Sequence, residues 1–465
     1  MNKGNIIIDQ FSGGWSSGSR RGIEGSFRYG LGINFREDPD YITANKAAVK
    51  DSSTTVVDLP KWFSSYNAFV YAYGDTGKLY KRTTGTWAVA RSVSNSTGQG
   101  LEVYGDYLYY RQNAQIGRMK LSDDSFTDDW KKSTDSVQTV TDWGSIQTFL
   151  DFVAFANGRY LATWNDSTFT YNKLSFPSGY FVRDLGAMSE YLVMGVNDNE
   201  TITNVKRGFV FFWDGTSSTY NFQAEVPEAI SSIQTNMDTV YIFGASGTIY
   251  EYNGKANKVK KIPYLGGLTA YVYPGGETNL KGLCHFGLAG GTSTTAYRGV
   301  YSWGKTDIGY PDSLNLEYPI STATTQGTTL SIGAVKAVGS SLYIGWKDNT
   351  TYGIDLVSTT TNQLSVIYES LITSANKPID ITREKLYFKP LASGESITLY
   401  VKADQGTWVS CGSASYASDG GTVTTKLLNY EFGCDDLEVK VVLAGTSTMP
   451  SLSKIVIEYE EDNNL

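Results

Sequence analysis

The chain is short of almost everything that catalysis and metal binding draw on. Its 465 residues include one histidine, His285, and three cysteines, Cys284, Cys411 and Cys434. A Ser-His-Asp or Cys-His system needs an imidazole with positioned partners. Cys284 and His285 are adjacent, and adjacent side chains of a strand point to opposite faces, so neither can readily serve the other as nucleophile or base. Zinc takes three or four clustered Cys, His or carboxylate ligands, and no such spacing occurs. Three cysteines make no disulfide framework. Cys411 and Cys434 fall on neighbouring C-terminal strands, where buried free thiols are the expected state. No apolar run approaches the eighteen or so residues of a membrane helix, and the three isoleucines near the start are too few for a signal peptide. Synthesis in the cytoplasm, with no membrane segment, is expected. Basic residues are also in deficit: 39 Lys and Arg against 47 Asp and Glu give a net charge of −8. That excludes the broad basic footprint of a general nucleic-acid binder; the plain reading of so mild an acidity is solubility.

What the chain has in quantity is aromatic side chains, 33 Tyr, 20 Phe and 10 Trp, with 48 Gly to punctuate them. Together with abundant Thr, Ser and Val, these favour pleated, half-buried surfaces. A short pattern recurs: an alternating aromatic strand, a Gly-containing turn, and a second alternating strand with Tyr. It is clearest at 69–82, FVYAYGDTGKLYKR, and at 239–252, TVYIFGASGTIYEY. Looser copies lie at 107–121, 151–164, 190–198 and 341–356, and another pairs 283–291 with 298–305. Period-two alternation puts one set of side chains into a core, and the turn residues tolerate positive φ. Hairpins recurring at roughly 40–60-residue intervals match four-stranded propeller blades. The sequence therefore predicts an all-β chain: a six- or seven-bladed β-propeller at 51–373, followed by a jelly-roll-like β-sandwich at 374–465. Stacked sandwiches are the alternative.

The strand at 5–11, NIIIDQF, is expected to complete the last blade and close the ring. SANKPID (374–380) reads as a linker. After it, LEVKVVL and SKIVIEY alternate apolar with charged positions, as in an antiparallel sheet with one solvated face. EEDNNL (460–465) reads as a solvated terminus. Residues 1–50 differ, being rich in Gly, Arg and aromatics with little alternation. They read as a loop wrapped on the propeller or as an arm ordered against another subunit, since Arg and aromatics are enriched at interface cores. The candidate interface residues are Trp15, Arg20, Arg21, Phe27, Arg28, Tyr29, Phe35 and Arg36. The competing view is that these arginines pair on the surface with Glu24, Glu37 and Asp38.

Glycosidases need only two carboxylates. Acid clusters occur at 122–130, SDDSFTDDW, and 195–200, GVNDNE, both in expected loops where acids are normally solvated. NDNE lacks the full register of a calcium loop. ADQGTW (403–408) is one residue short of an Asp-box turn and reads as a hairpin turn. No phosphate-cradling or dinucleotide motif is present. The sequence names no catalytic residue, metal ligand or cofactor.

The opening FSGGW…RRGIEGSFRYGLGINFREDPDYITANKAA, with NFREDPDYIT at 34–43, resembles the start of tailed-bacteriophage tail proteins. The C-terminal GESITLYVKADQGTW…LEVKVVLAG…MPSLSKIVIEYE resembles the terminal sandwich of the same proteins. The resemblance covers residues 9–50 and 378–465 as text and the rest as architecture, and it departs at Asp40, where glycine is usual after the proline. It implies a non-enzymatic structural component of a virion tail, of the hub, nozzle or tail-tip type. The implied partners are copies of itself in a ring and other tail proteins, with DNA passing a lumen without specific binding. A receptor- or glycan-binding propeller at the tail tip is the second reading, and a glycan-cleaving enzyme the third.

Overall fold

The structure is a computed structural model. It describes residues 3–51, 56–93, 98–112, 115–132, 143–236, 239–262, 271–288, 299–307, 309–322 and 329–461. Among these, the one α-helix is a single turn, Tyr416–Asp419, and β-strands carry the fold. Each predicted hairpin but one supplies the two middle strands of an antiparallel quartet; the copy at 190–198 supplies only Leu192–Asn197, whose partner is Gly208–Trp213. In the first, Phe69–Gly74 pairs with Lys78–Thr83 across a turn whose Gly77 has φ +82°. In the fifth, Val240–Gly244 pairs with Thr248–Tyr252 across Gly247 at φ +80°. Residues 289–291 and 298 of the last predicted repeat lie outside the described residues.

Six quartets are free-standing four-stranded sheets, the six blades of a β-propeller. Five run consecutively, at 60–92, 98–132, 143–175, 181–226 and 230–261. The sixth takes Leu330–Val338, Ser341–Asp348 and Thr351–Asn362, and borrows its outermost strand, Lys46–Lys50, from the N-terminal segment. The sector between the fifth and sixth blades is filled by Glu277–Leu280, Leu283–Gly287, Val300–Gly304 and Ser313–Tyr318, which form one end of a 14-stranded sheet. The innermost strands pack side by side in chain order, and the last, Leu330–Val338, returns to the first, Pro60–Tyr66. The ring closes, so no inner edge is left to pair with another chain.

Aromatic and branched side chains fill the wedges between blades. Trp213 is fully buried with Phe152, Phe176 and Phe211 between the third and fourth. Phe212 stacks on Phe222 at 4.4 Å, and with Tyr252 closes the wedge to the fifth.

Three expectations are corrected. The strand Lys3–Ile8 does not close the ring. It pairs with Leu452–Glu461, where Ile6 and Ile7 lie opposite Ile457 and Val456. Lys46–Lys50 closes the sixth blade instead, with Val49 opposite Leu356. The segment 374–380 is no linker, because the strand Thr373–Phe388 runs straight through it. Pro378, which suggested a break, sits in a register irregularity between Ser374 and Ile379, where its missing N–H costs no ladder bond. Nor do the C-terminal strands stand apart: through Ser365–Ser370 and Ser26–Leu31 they are hydrogen-bonded into the same sheet as Ser313–Tyr318.

Residues 9–50 form the joint. Phe11, Trp15, Phe27, Tyr29 and Phe35 are buried in a core shared with Phe286, Tyr301 and Leu316 on one side and Val439, Val441 and Ile455 on the other. Trp15 stacks on Tyr301 at 5.7 Å and meets Tyr29 edge-on at 5.4 Å. The Gly-Gly turn is dictated by close approach. A Cβ on Gly13 would lie 2.5 Å from the Glu24 carbonyl oxygen, and Gly14 combines φ +68° with 2.6 Å to Ser313 Cβ. Asp40 has no positive φ, so the turn after Pro39 does not require the glycine found at that point in the resembling proteins.

Candidate functional site in the axial channel

In all six free-standing blades the innermost strand carries a β-bulge. The ladder slips between Pro60 and Trp62, Gly98 and Leu101, Trp143 and Ile146, Val182 and Asp184, Ile230 and Ser232, and Ile332 and Val335. A bulge frees one residue from pairing and re-aims it. Lys61, Gln99, Gly144 and Arg183 fall in four of these slips, and all four line one cavity of 270 Å³ at the mouth of the ring axis. Trp62, Phe181, Tyr271, Tyr273 and Pro274 complete its wall. Lys61 Nζ lies 4.8 Å from the centre of the Tyr273 ring, and Tyr271 meets Tyr273 edge-on at 5.3 Å. Burial pulls the Lys61 ammonium below its ordinary pKa; Asp75 opposes that shift and Arg183 adds to it. Arg183 Nε is buried without a hydrogen-bond partner.

One layer deeper is a smaller cavity of 110 Å³, which shares Trp62 and Ser145 with the first. Glu102, Asp184, Glu277 and Lys336 line it. Asp184 is fixed: Oδ2 accepts the Ile233 N–H at 2.9 Å and the Ser232 hydroxyl at 3.0 Å, and Oδ1 accepts the Leu185 N–H at 2.9 Å. Burial still pushes its carboxyl up to about 6. Glu277 accepts the Gly275 N–H at 3.2 Å through Oε1. Burial and the neighbouring Asp184 drive its carboxyl well above the ordinary range. Like charges in a dry site cannot both ionise cheaply. Asp184 already accepts several donors, so at neutral pH it carries the charge and Glu277 holds the proton. Glu102 is raised by burial too, with Lys336 and Thr148 pulling the other way.

The residues singled out in the sequence lie elsewhere. Of the proposed interface arm, Trp15, Phe27, Tyr29 and Phe35 are in the chain's own core. Arg28 bridges Glu369 and Glu438, each at 2.6 Å. Arg36 is buried beside Glu317 at 3.2 Å and donates to the Ser313 carbonyl at 2.6 Å. Arg20 pairs with Asp436, and Arg21 is exposed. Apart from Arg21, these side chains make contacts within the chain, at the joint between the propeller and the C-terminal strands. The arginine partners Glu24, Glu37 and Asp38 are likewise replaced by acids distant in sequence.

His285 is buried, its Nε2 3.5 Å from Glu317 Oε2. Although burial pushes the Glu317 carboxyl up, His285 and Arg36 hold it down at about 2. Cys284, Cys411 and Cys434 are free thiols. The acids of 122–130 tie blades together: Asp124 binds Lys81 at 2.6 Å, and Asp128 binds Arg91. In 195–200, Asn197 bonds the Ile230 backbone and Asp198 accepts the Lys206 N–H. ADQGTW turns between Ser396–Ala403 and Val409–Ser415, a hairpin as expected. Among the described residues no three His, Cys, Asp or Glu side chains are grouped to hold a metal ion.

Sequence reasoning also missed a repeated brace. Asp58 accepts the Thr76 N–H at 3.2 Å, the Thr76 hydroxyl at 2.7 Å and the Tyr80 hydroxyl at 2.5 Å. Glu228 does the same with the Ser246 N–H at 2.8 Å, the Ser246 hydroxyl at 2.6 Å and the Tyr250 hydroxyl at 2.9 Å. The separations are identical, 18 and 22 residues, so this signal was present in the text. The channel residues left no such mark, because a bulge has no sequence signature of its own.

No family model and no curated protein matches the chain. Among solved structures, a computationally designed protein is 11% identical at TM-score 0.43 over 69% of this chain and 96% of its own. The extracellular domain of a putative hybrid two-component system from B. thetaiotaomicron is 11% identical at TM-score 0.48, over 79% of this chain and 45% of its own. A WD40 β-propeller domain is 11% identical at TM-score 0.45, over 68% and 97%.

Proposed function

We propose that the chain is a structural subunit of a bacteriophage tail, of the hub, nozzle or tail-tip type, acting by assembly and not by catalysis. The observation that carries this reading is the joint. The segment with the tail-protein resemblance, 9–50, is laced between the propeller and the C-terminal strands and makes one continuous hydrogen-bonded ladder of them. Such a joint suits a part that transmits load as a rigid block. In this reading strands 373–461 fold over one another as the two layers of the terminal sandwich. The deep acidic cavity, at 110 Å³, is well below the roughly 300–1,000 Å³ of small-molecule sites, which favours a packing role for Asp184 and Glu277 over glycan cleavage. The protein then belongs to the virion, reached after synthesis in the host cytoplasm, with copies of itself and other tail proteins as partners and DNA passing a lumen without specific binding. Since the arm residues other than Arg21 have partners within the chain, ring contacts fall mainly on the outer blade strands or the C-terminal strands. Mass in solution and electron microscopy test this: a closed ring with a central hole is expected. A monomer at tens of micromolar that is also absent from purified virions by mass spectrometry overturns it.

A further inference from the structure

The mouth cavity holds two cations that no described carboxylate neutralises by contact. Neither Lys61 nor Arg183 makes an ion pair with a described residue. The carboxylate whose field reaches Lys61, Asp75, makes no ion pair with it and accepts the Leu59 N–H at 3.2 Å through Oδ1. Half-buried cations without a counter-charge are costly, and an arginine fork is shaped for a bidentate anion. The walls around them are aromatic rings with polar tips, suited to a ligand that is flat on one face and hydroxylated at its edges. Immediately deeper, Glu102 and the already hydrogen-bonded Asp184 line the next cavity together with Lys336. The order along the axis is therefore cations and aromatic rings together at the mouth, then acids one layer deeper. It selects a ligand with one negative charge at its outer end and hydrogen-bond donors at its inner end. A polyanion is disfavoured, since the channel turns acidic below the mouth and the chain carries −8 overall.

We propose that this mouth binds one carboxylated sugar unit, its carboxylate between Lys61 and Arg183, its ring against Trp62 and Tyr273, and its inner hydroxyls donating toward the acidic layer. The cavity, 270 Å³, lies just under the range of roughly 300–1,000 Å³ for drug-sized ligands, which fits a single monosaccharide. The proposal is independent of the assembly reading, because the site lies within one chain and can be assayed whether that chain is a monomer or a ring.

The test is titration calorimetry and saturation-transfer NMR on the full chain with D-glucuronate, D-glucose and sulfate as probes. Glucuronate is expected to bind at least tenfold more tightly than either of the others. Arg183→Gln and Lys61→Gln are each expected to weaken it tenfold or more, while Arg207→Gln, an exposed control, leaves it unchanged. If Arg183→Gln does not fold, Lys61→Gln carries the test. Equal affinity for glucose and glucuronate overturns the proposal, as does binding that survives both substitutions. Sulfate binding as tightly as glucuronate overturns the sugar assignment and leaves a plain anion site.

Discussion

Replacing Gly74 with alanine should damage the protein by displacing a side chain sixteen residues away. A Cβ on Gly74 would lie 2.1 Å from Asp58 Oδ2, far inside contact distance. Asp58 is 1% exposed, so the carboxylate has nowhere nearby to move, and its bonds to Thr76 and Tyr80 must break or stretch. Hydrogen bonds to charged groups contribute about 1.5–3 kcal/mol each, and buried donors left unpaired carry their own penalty. The three bonds share one acceptor and do not add fully, so Asp58→Ala should cost about 3–5 kcal/mol and Gly74→Ala about 3–4 kcal/mol. The two changes remove the same brace. In the Asp58→Ala background, Gly74→Ala should therefore cost under about 1 kcal/mol, a coupling of roughly 3 kcal/mol. Urea denaturation followed by fluorescence and far-ultraviolet circular dichroism measures all four proteins. Additivity within about 0.5 kcal/mol would refute the reasoning, because the glycine would then matter for some reason other than room for the carboxylate. The fifth blade offers an internal repeat, since a Cβ on Gly244 would lie 2.3 Å from Glu228 Cδ.

Glu277→Gln tests the shared proton of the channel. The folded pKa of Glu277 is raised, so folding takes up a proton. That contribution is complete below the unfolded value of 4.5 and is lost as pH rises through the folded value. The amide mimics the protonated carboxyl, so the variant should match the parent near pH 4 and exceed it increasingly as pH rises from there to 7 in urea denaturation; a constant difference across that range would contradict the assignment. Arg28→Met strips the cation from Glu369 and leaves Glu438, whose side chain is 2% exposed, with Lys402 at 2.5 Å. A loss of about 2–4 kcal/mol is expected, with faster amide exchange in Ser26–Leu31 read by mass spectrometry. Trp15→Ala should cost about 3–5 kcal/mol and separate the unfolding of the propeller from that of the C-terminal strands in calorimetry; a single undivided transition would argue against residues 9–50 as the joint.

The hairpins were legible because both ingredients, period-two alternation and a positive-φ turn, are local. FVYAYGDTGKLYKR reads as two short strands, which the blade buries on both faces, and Gly77 permits the turn. The scarcity of helix formers settled the fold class for the same reason. What the text could not give was the destination of each strand. NIIIDQF and KAAVK are both plausible edge strands. The choice between them rests on what each meets: Ile6 opposite Ile457 in the C-terminal sheet, Ala48 opposite Val357 in the sixth blade. SANKPID carries every mark of a linker, and a bulge absorbs its proline. Trp15, Phe27 and Arg28 looked like a surface offered to another subunit. Their partners, Tyr301, Tyr368 and Glu438, lie hundreds of residues away, and sequence distance hides that contact. The channel was the least visible part. Lys61, Arg183, Asp184 and Glu277 are ordinary residues in separate strands, and only ring closure, with a bulge turning Lys61 and Arg183 inward, brings them to one axis.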